Sequence, residues 1–285
     1  MKVFYRQEQV ATSSQPSPSA LKPRLVVEDW LADSQINAEI CTFEPASVET
    51  IALAHDPRFV RGVLDCTIQN GFGNRNADVA ASLPFTSGSL LAAAEFSMLH
   101  REATCSPTSG FHHAEYGTAM AYCTFNALLV TAMAIKNAGL VNRVGILDCD
   151  AHYGNGTDHI IRKLGIDWIN HQNFGKNFCD SEEAGDGEFE YWLEDKAIAS
   201  LLDCDLILYQ AGADPHINDP LGGILTTEQM VWRDRAVFEQ LGHLPLVWNL
   251  AGGYQLADGK TEAERREPVL ALHRETARLH TAILG

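Results

Sequence analysis

The residues that could do chemistry cluster at three points, each directly after an apolar run. Asp148-Cys149-Asp150-Ala151-His152 follows the run at 144–147. In an extended chain alternate residues share a face, so 148, 150 and 152 are expected on one side. Two carboxylates and an imidazole at the end of a buried strand are costly unless a cation or hydrogen bonds compensate. A bound metal removes that cost directly, and a hydrogen-bonded polar turn is the other solution. Asp214 follows the run at 206–209 through Gln210-Ala211-Gly212-Ala213, whose small residues let backbone approach a ligand closely. Asp150, His152 and Asp214 would give three protein ligands and leave one position open, which distinguishes a catalytic metal site from a structural one. Zn²⁺ suits mixed nitrogen and oxygen ligation. With two carboxylates in the set, Fe²⁺ is a credible substitute.

His112 and His113 stand in tandem in SGFHHAEYG, before an Ala-rich stretch. Adjacent histidines often sit in exposed loops. Beside a metal they gain meaning, because amide hydrolysis needs a base for the water and an acid for the leaving amine. Tyr254, in Ala251-Gly252-Gly253-Tyr254, follows the run at 246–250. A phenol delivered by a glycine turn could donate to an oxyanion opposite the metal, or simply pack over the turn.

Positioning these residues requires a sheet. The runs at 144–147, 168–169, 206–209 and 246–250 read as buried parallel strands. Three of them lead straight into DCDAHYGNGT, QAGADPHINDP and NLAGGY, and in open α/β sheets ligands bind at the carboxyl ends of parallel strands. Residues 2–6 read as a first strand, 24–32 as amphipathic, and 48–54 as a helix ending at His-Asp-Pro. The Ser/Pro stretch from Thr12 to Ser19 and residues 70–76 read as loops. Helices are expected at 88–100 and 117–138, and at 262–284 with a break or kink near Pro268 and with His273 and His280 on the surface. The expected architecture is one α/β domain over 1–285, an open, mostly parallel sheet with helices on both faces and the site at the C-terminal strand ends.

The stretches SGFHHAEYGTAMAYCTFN, GILDCDAHYGNGT, QAGADPHINDPLGG and AGGY resemble, in order and separation, the signature blocks of histone deacetylases, and LAHDPRFV resembles an early block of that family. The resemblance spans roughly residues 48 to 256 and implies an arginase/deacetylase-like fold and a zinc-dependent deacylase. It implies that Asp150, His152 and Asp214 bind Zn²⁺. It makes His113 the general base and then acid, with Asn155 behind it, and His112 an electrostatic partner oriented by Asp148. Tyr254 would polarise the scissile carbonyl. A structural K⁺ would be held by Asp148 and the backbone near Asp150 and His152, completed around residues 169–171. Phe111, Ala121, Tyr122 and Leu221 would contact substrate, with Phe174 or Phe178 as a second tunnel wall.

Three departures stand out. His152 is followed by Tyr153 where the family has a second His, the aromatic-Pro-Gly-Thr-Gly loop is replaced by NFGKNFCDSEEAGDGE, and the His-Pro-Glu-Arg-Pro segment is absent. A shallower, more open site is expected. Arginase-like ureohydrolases also carry Asp-Ala-His, but their second metal needs a carboxylate where this chain has Gly154, and Asp214 is followed by Pro215-His216.

Composition narrows the partners. With 21 Lys and Arg against 37 Asp and Glu, the formal charge is −16. Such a surface keeps a protein soluble, repels nucleic-acid phosphates and favours cationic substrates. Direct nucleic-acid binding is not expected. The seven cysteines are scattered and form no CxxC pair, which suggests a reducing compartment. The N-terminus lacks the apolar core of a signal peptide, and no apolar run of membrane-spanning length is expected, so a cytoplasmic location follows. Substrates would be acyl-lysine peptides or proteins, with acetylpolyamines and other small N-acyl amines as the alternative. Leu221 after Asp219-Pro220 resembles the lysine deacylases, whose polyamine-selective relatives place an acidic residue there. A homo-oligomer is possible on this reading, and so is a catalytically silent binding protein.

Overall fold

The computed structural model describes residues 1–11 and 18–285, so most of the loop expected from Thr12 to Ser19 lies outside the described residues. Seven strands form one open sheet: β1 Lys2–Phe4, β2 Glu39–Cys41, β3 Thr104–Ser106, β4 Val144–Asp148, β5 Ile169–Asn173, β6 Leu206–Gln210 and β7 Leu246–Asn249. Their order is β2-β1-β3-β7-β6-β4-β5, and every pairing is parallel. The central strands are apolar and buried because helices cover both faces. On one face lie α1 (Lys22–Ala32), α7 (Glu188–Tyr191), the π-helical turn Trp192–Ile198, α8 (Ala199–Leu201), α9 (Thr227–Leu241) and α10 (Glu262–Leu284). On the other lie α2 (Val48–Ile51), α3 (Pro57–Leu64), α4 (Ala77–His100), α5 (Ala127–Asn137) and α6 (Asn155–Leu164). β5 ends the sheet and is only half-buried over most of its length.

Several expectations need correction. The helix expected at 117–138 begins only at Ala127, where Asn126 caps it by accepting the Leu129 N–H. The residues before it form a loop in which Ala121 and Tyr122 take φ of +46° and +64°, values incompatible with a helix. The helix expected at 88–100 starts eleven residues earlier, capped by Asn76. By length and composition α4 could cross a membrane, contrary to the expectation that no such run exists. Over its most apolar window it is 56% buried, as suits a core helix. α10 runs unbroken through Pro268.

His273 and His280 were expected at the surface, but both are buried, because the α10 face carrying them packs toward the sheet and α9. The Nδ1 of His280 accepts the Trp248 indole N–H at 2.9 Å, so that nitrogen carries no proton. His55 is also buried, its Nε2 accepting the Asn126 N–H at 2.8 Å while Nδ1 lies 2.9 Å from Glu115 O. Burial pushes His55 down from 6.5 to about 4 and His280 to about 3. A histidine whose folded value is depressed binds its proton first in the unfolded chain, so stability falls as pH drops below 6.5. Each should cost about 2 kcal/mol by pH 5. Chemical denaturation at pH 7.5 and pH 5 should therefore differ by about 4 kcal/mol from this pair alone. His280→Gln should remove about half of the pair's contribution; a pH dependence of stability identical to wild type in that variant would contradict neutral burial of His280.

Candidate active site

Loops leaving the C-terminal ends of β3, β4, β6 and β7 build the site. β4 ends at Asp148, so the alternation expected to align 148, 150 and 152 stops there. Asp148 stands apart from the other two. Its Oδ2 accepts from His112 Nδ1 and Asn173 Nδ2, both at 2.8 Å, and its Oδ1 accepts from Gln210 Nε2 at 2.8 Å. Asn173 and Gln210 are its register partners on β5 and β6.

Asp150, His152 and Asp214 converge, with ligand-type atoms all within 4.8 Å of one another. His152 Nδ1 lies 3.0 Å from Asp150 Oδ1 and 3.0 Å from Asp214 Oδ2. Both aspartates are buried. Hydrogen bonds to them lift His152 to about 11, while burial and then Asp150 raise Asp214 to about 7. The pair thus demands positive charge at this point, and a divalent cation bound by a neutral imidazole supplies it. Gly252 makes room for such a group. A Cβ there would stand 2.2 Å from Asp214 Oδ2 and 2.8 Å from Asp150 Oδ2, while its N–H donates to Asp150 Oδ2 at 2.8 Å. The donor set and this cradle fit a single divalent ion. Among the described residues no second group of metal-type ligands gathers here, and position 154 is a glycine, where a Cβ would meet Asp148 Oδ2 at 2.5 Å.

His112 and His113 sit on the loop after β3, a strand too short to be read in the sequence. Gly156 at the start of α6 allows close approach, because a Cβ there would lie 2.5 Å from the His113 carbonyl carbon. His113 Nδ1 donates to Asn155 Oδ1 at 2.6 Å, with the His152 ring 5.9 Å away. Burial and then His112 hold His113 down at about 4. Burial opposes charge on His112 as well, but Asp148 and Asp150 outweigh it and lift that ring to about 9. The surroundings thus favour charge on His112 and disfavour it on His113. The Tyr254 ring lies 6.4 Å from that of His152, and burial, followed by Asp150 and Asp214, keeps its phenol protonated.

The substrate-facing expectations divide. Tyr122 lies 6.5 Å from Tyr254, ring to ring, and Leu221 is exposed, as is Ala121. Phe111 is buried and lines a small cavity beside Tyr122. Phe174 and Phe178 form no tunnel wall. They pack on each other at 5.2 Å and join Phe189 and Trp192 in the core.

Some residues escaped the sequence reading. Phe72 packs against Tyr122, ring centroids 5.6 Å apart and tilted by 53°, and supplies an aromatic neighbour from the 70–76 loop. Buried Lys22 donates to the carbonyls of Ala251 and Gly252 at 2.6 and 3.0 Å, pinning the turn that carries Tyr254. Asp219 accepts the Tyr254 N–H at 2.7 Å. Asp219 lies within QAGADPHINDPLGG, beside the ligand Asp214 in sequence, whereas nothing around Lys22 signals its contact 229 residues away.

Known proteins agree with this architecture. The model of the histone deacetylase domain matches residues 20–174, just over half of the chain, and the chain belongs to that family. An uncharacterized protein of Picosynechococcus is 27% identical over 227 residues, covering 73% of this chain and 72% of its own. A probable deacetylase of Methanothermobacter thermautotrophicus is 32% identical over 169 residues, half of each chain. The chloroplastic histone deacetylase 10 of Oryza sativa is 27% identical, covering 76% of this chain and 59% of its own length. The chain thus spans between half and about three-quarters of these relatives. The crystal structure of the HDA15 HD domain superposes with a TM-score of 0.74 at 19% identity, covering 98% of this chain and 87% of that one.

Proposed function

We propose that residues 1–285 form a single catalytic domain that hydrolyses the N-acyl amide of lysine side chains, acetyl-lysine first, with one Zn²⁺ or Fe²⁺ at Asp150, His152 and Asp214. The observation that carries this reading is the convergence of those three ligands beside a neutral His113 and a protonated Tyr254. A bound divalent cation would polarise the acyl carbonyl and acidify a water. Nε2 of His113 takes the water's proton, since Nδ1 is committed to Asn155. An amide behind the ring, in place of a carboxylate, leaves the imidazolium weakly held and ready to pass its proton to the departing amine. The Tyr254 hydroxyl donates to the developing oxyanion. His112, fixed by Asp148, which favours its charged form, lies beside the same centre.

A structural K⁺ beside Asp148 belongs to the same proposal. The side-chain oxygens of Asn173 and Gln210 flank that residue, buried and without hydrogen-bond partners, and would serve as hard oxygen ligands. We also propose a reducing, cytoplasmic setting; the seven cysteines are free.

Purified protein should release acetate from an acetyl-lysine peptide, lose that activity to a strong chelator, and regain it with about one equivalent of Zn²⁺. Turnover of acetylpolyamines alone would move the substrate to small amines. No turnover of any N-acyl amine by metal-loaded protein would leave a binding protein.

A further inference from the structure

The loops that carry Asp150 and Asp214 leave adjacent strands, and the sheet stops joining them before either ligand is reached. The ladder between β4 and β6 pairs Asp148 with Gln210 and closes with the Cys149 N–H on the Gln210 carbonyl at 3.0 Å. Past that rung, among the described residues, no backbone–backbone hydrogen bond joins 149–155 to 211–223. The two loops nevertheless touch. A Cβ at Gly212 would stand 2.8 Å from both Asp150 Cα and Asp214 Oδ1, and 3.0 Å from the Cys149 carbonyl oxygen. On the site's side, the Ala151 N–H reaches Asp214 Oδ1 at 3.2 Å.

From behind, Arg233 on α9 reaches both loops. It is 1% exposed, and its Nη1 donates to the Gly212 carbonyl at 2.7 Å and, less closely, to the Cys149 carbonyl at 3.4 Å. Its Nε donates to Asp234 at 2.8 Å, and that carboxylate also accepts from Tyr209 on β6 and Thr276 on α10. Burying an ion pair is costly, and apolar residues would pack α9 on the sheet as well. What they could not do is hold a carboxylate and two carbonyls in one arrangement, as a planar fork of donors does. The two carbonyls belong to the residue before Asp150 and the residue two before Asp214. We infer, on the metal site proposed above, that Arg233 is a positioning residue for that centre. It ties the two loops together past the end of the ladder and so sets the separation of the Asp150 and Asp214 carboxylates.

Co²⁺ added to metal-stripped protein is the probe, because its visible absorption bands report ligand geometry as well as occupancy. Arg233→Lys keeps a cation beside Asp234 but has no fork to span the carbonyls. Arg233→Met combined with Asp234→Asn leaves no unpaired charge, and the amide can still accept from Tyr209. Both should bind Co²⁺ about 10- to 100-fold more weakly than wild type in chelator competition, with altered bands and an unchanged circular dichroism spectrum. Thr276→Val removes a bond to Asp234 and touches neither carbonyl, so it should lower Tm yet keep wild-type affinity and bands. Wild-type affinity and bands in either folded Arg233 variant would overturn the proposal. So would an equal loss in Thr276→Val, or failure of both Arg233 variants to fold, since the pair would then serve the fold alone. Absence of Co²⁺ binding by the wild type would instead remove the metal site itself, and this role of Arg233 with it.

Discussion

Tyr254→Phe is expected to lower kcat on an acetyl-lysine peptide by about two to three orders of magnitude, with KM and metal content nearly unchanged. The variant keeps the ring and deletes only the hydroxyl. The backbone N–H of Tyr254 still donates to Asp219, and Lys22 still pins the preceding turn, so the loop has no reason to move. On the proposed mechanism, what disappears is the hydroxyl that donates to the developing oxyanion. A loss confined to kcat is the signature of an interaction made only in the transition state. Burial holds the phenol protonated, so the wild-type rate should not fall through its ionisation up to pH 10. A variant within threefold of wild type would remove Tyr254 from the chemistry.

Gly252→Ala should be as damaging by a different route. The added carbon would lie 2.2 Å from Asp214 Oδ2 and 2.4 Å from its Cγ, a separation no van der Waals contact tolerates. Gly252 is not at positive φ, so the effect is steric displacement of a ligand and owes nothing to backbone strain. Moving a carboxylate that must lie at ligand distance should weaken metal binding on the order of 100-fold. Chelator competition would read that loss, with circular dichroism confirming a folded chain. Unchanged metal affinity would mean that Asp214 is not a ligand.

The site was legible where the chain writes it locally. Three strand ends each run into a polar cluster, and strand direction alone brings them together. Asp150, His152 and Asp214 needed nothing more. The parts that were not legible depend on tertiary packing. Aromatic residues beside a site look alike whether they line a tunnel or fill a core, and Phe174 and Phe178 fill the core because Phe189 and Trp192 offer them partners. β2 and β3 are three residues each, too short for any periodicity, yet β3 launches the His112-His113 loop. The start of α5 was misplaced because an Ala-rich stretch reads as helix while positive φ at Ala121 and Tyr122 does not show in composition. His273 and His280, at heptad spacing on a charged helix, looked solvated. Only the packing of α10 on α9 and α1 shows them to be interior.

The most direct test is metal stoichiometry measured alongside hydrolysis of a fluorogenic acetyl-lysine peptide, wild type against Asp214→Ala. One equivalent of transition metal with turnover in the wild type, and loss of both in the variant, is the predicted result. Two equivalents of metal, or turnover that survives in Asp214→Ala, would contradict a single-metal deacylase.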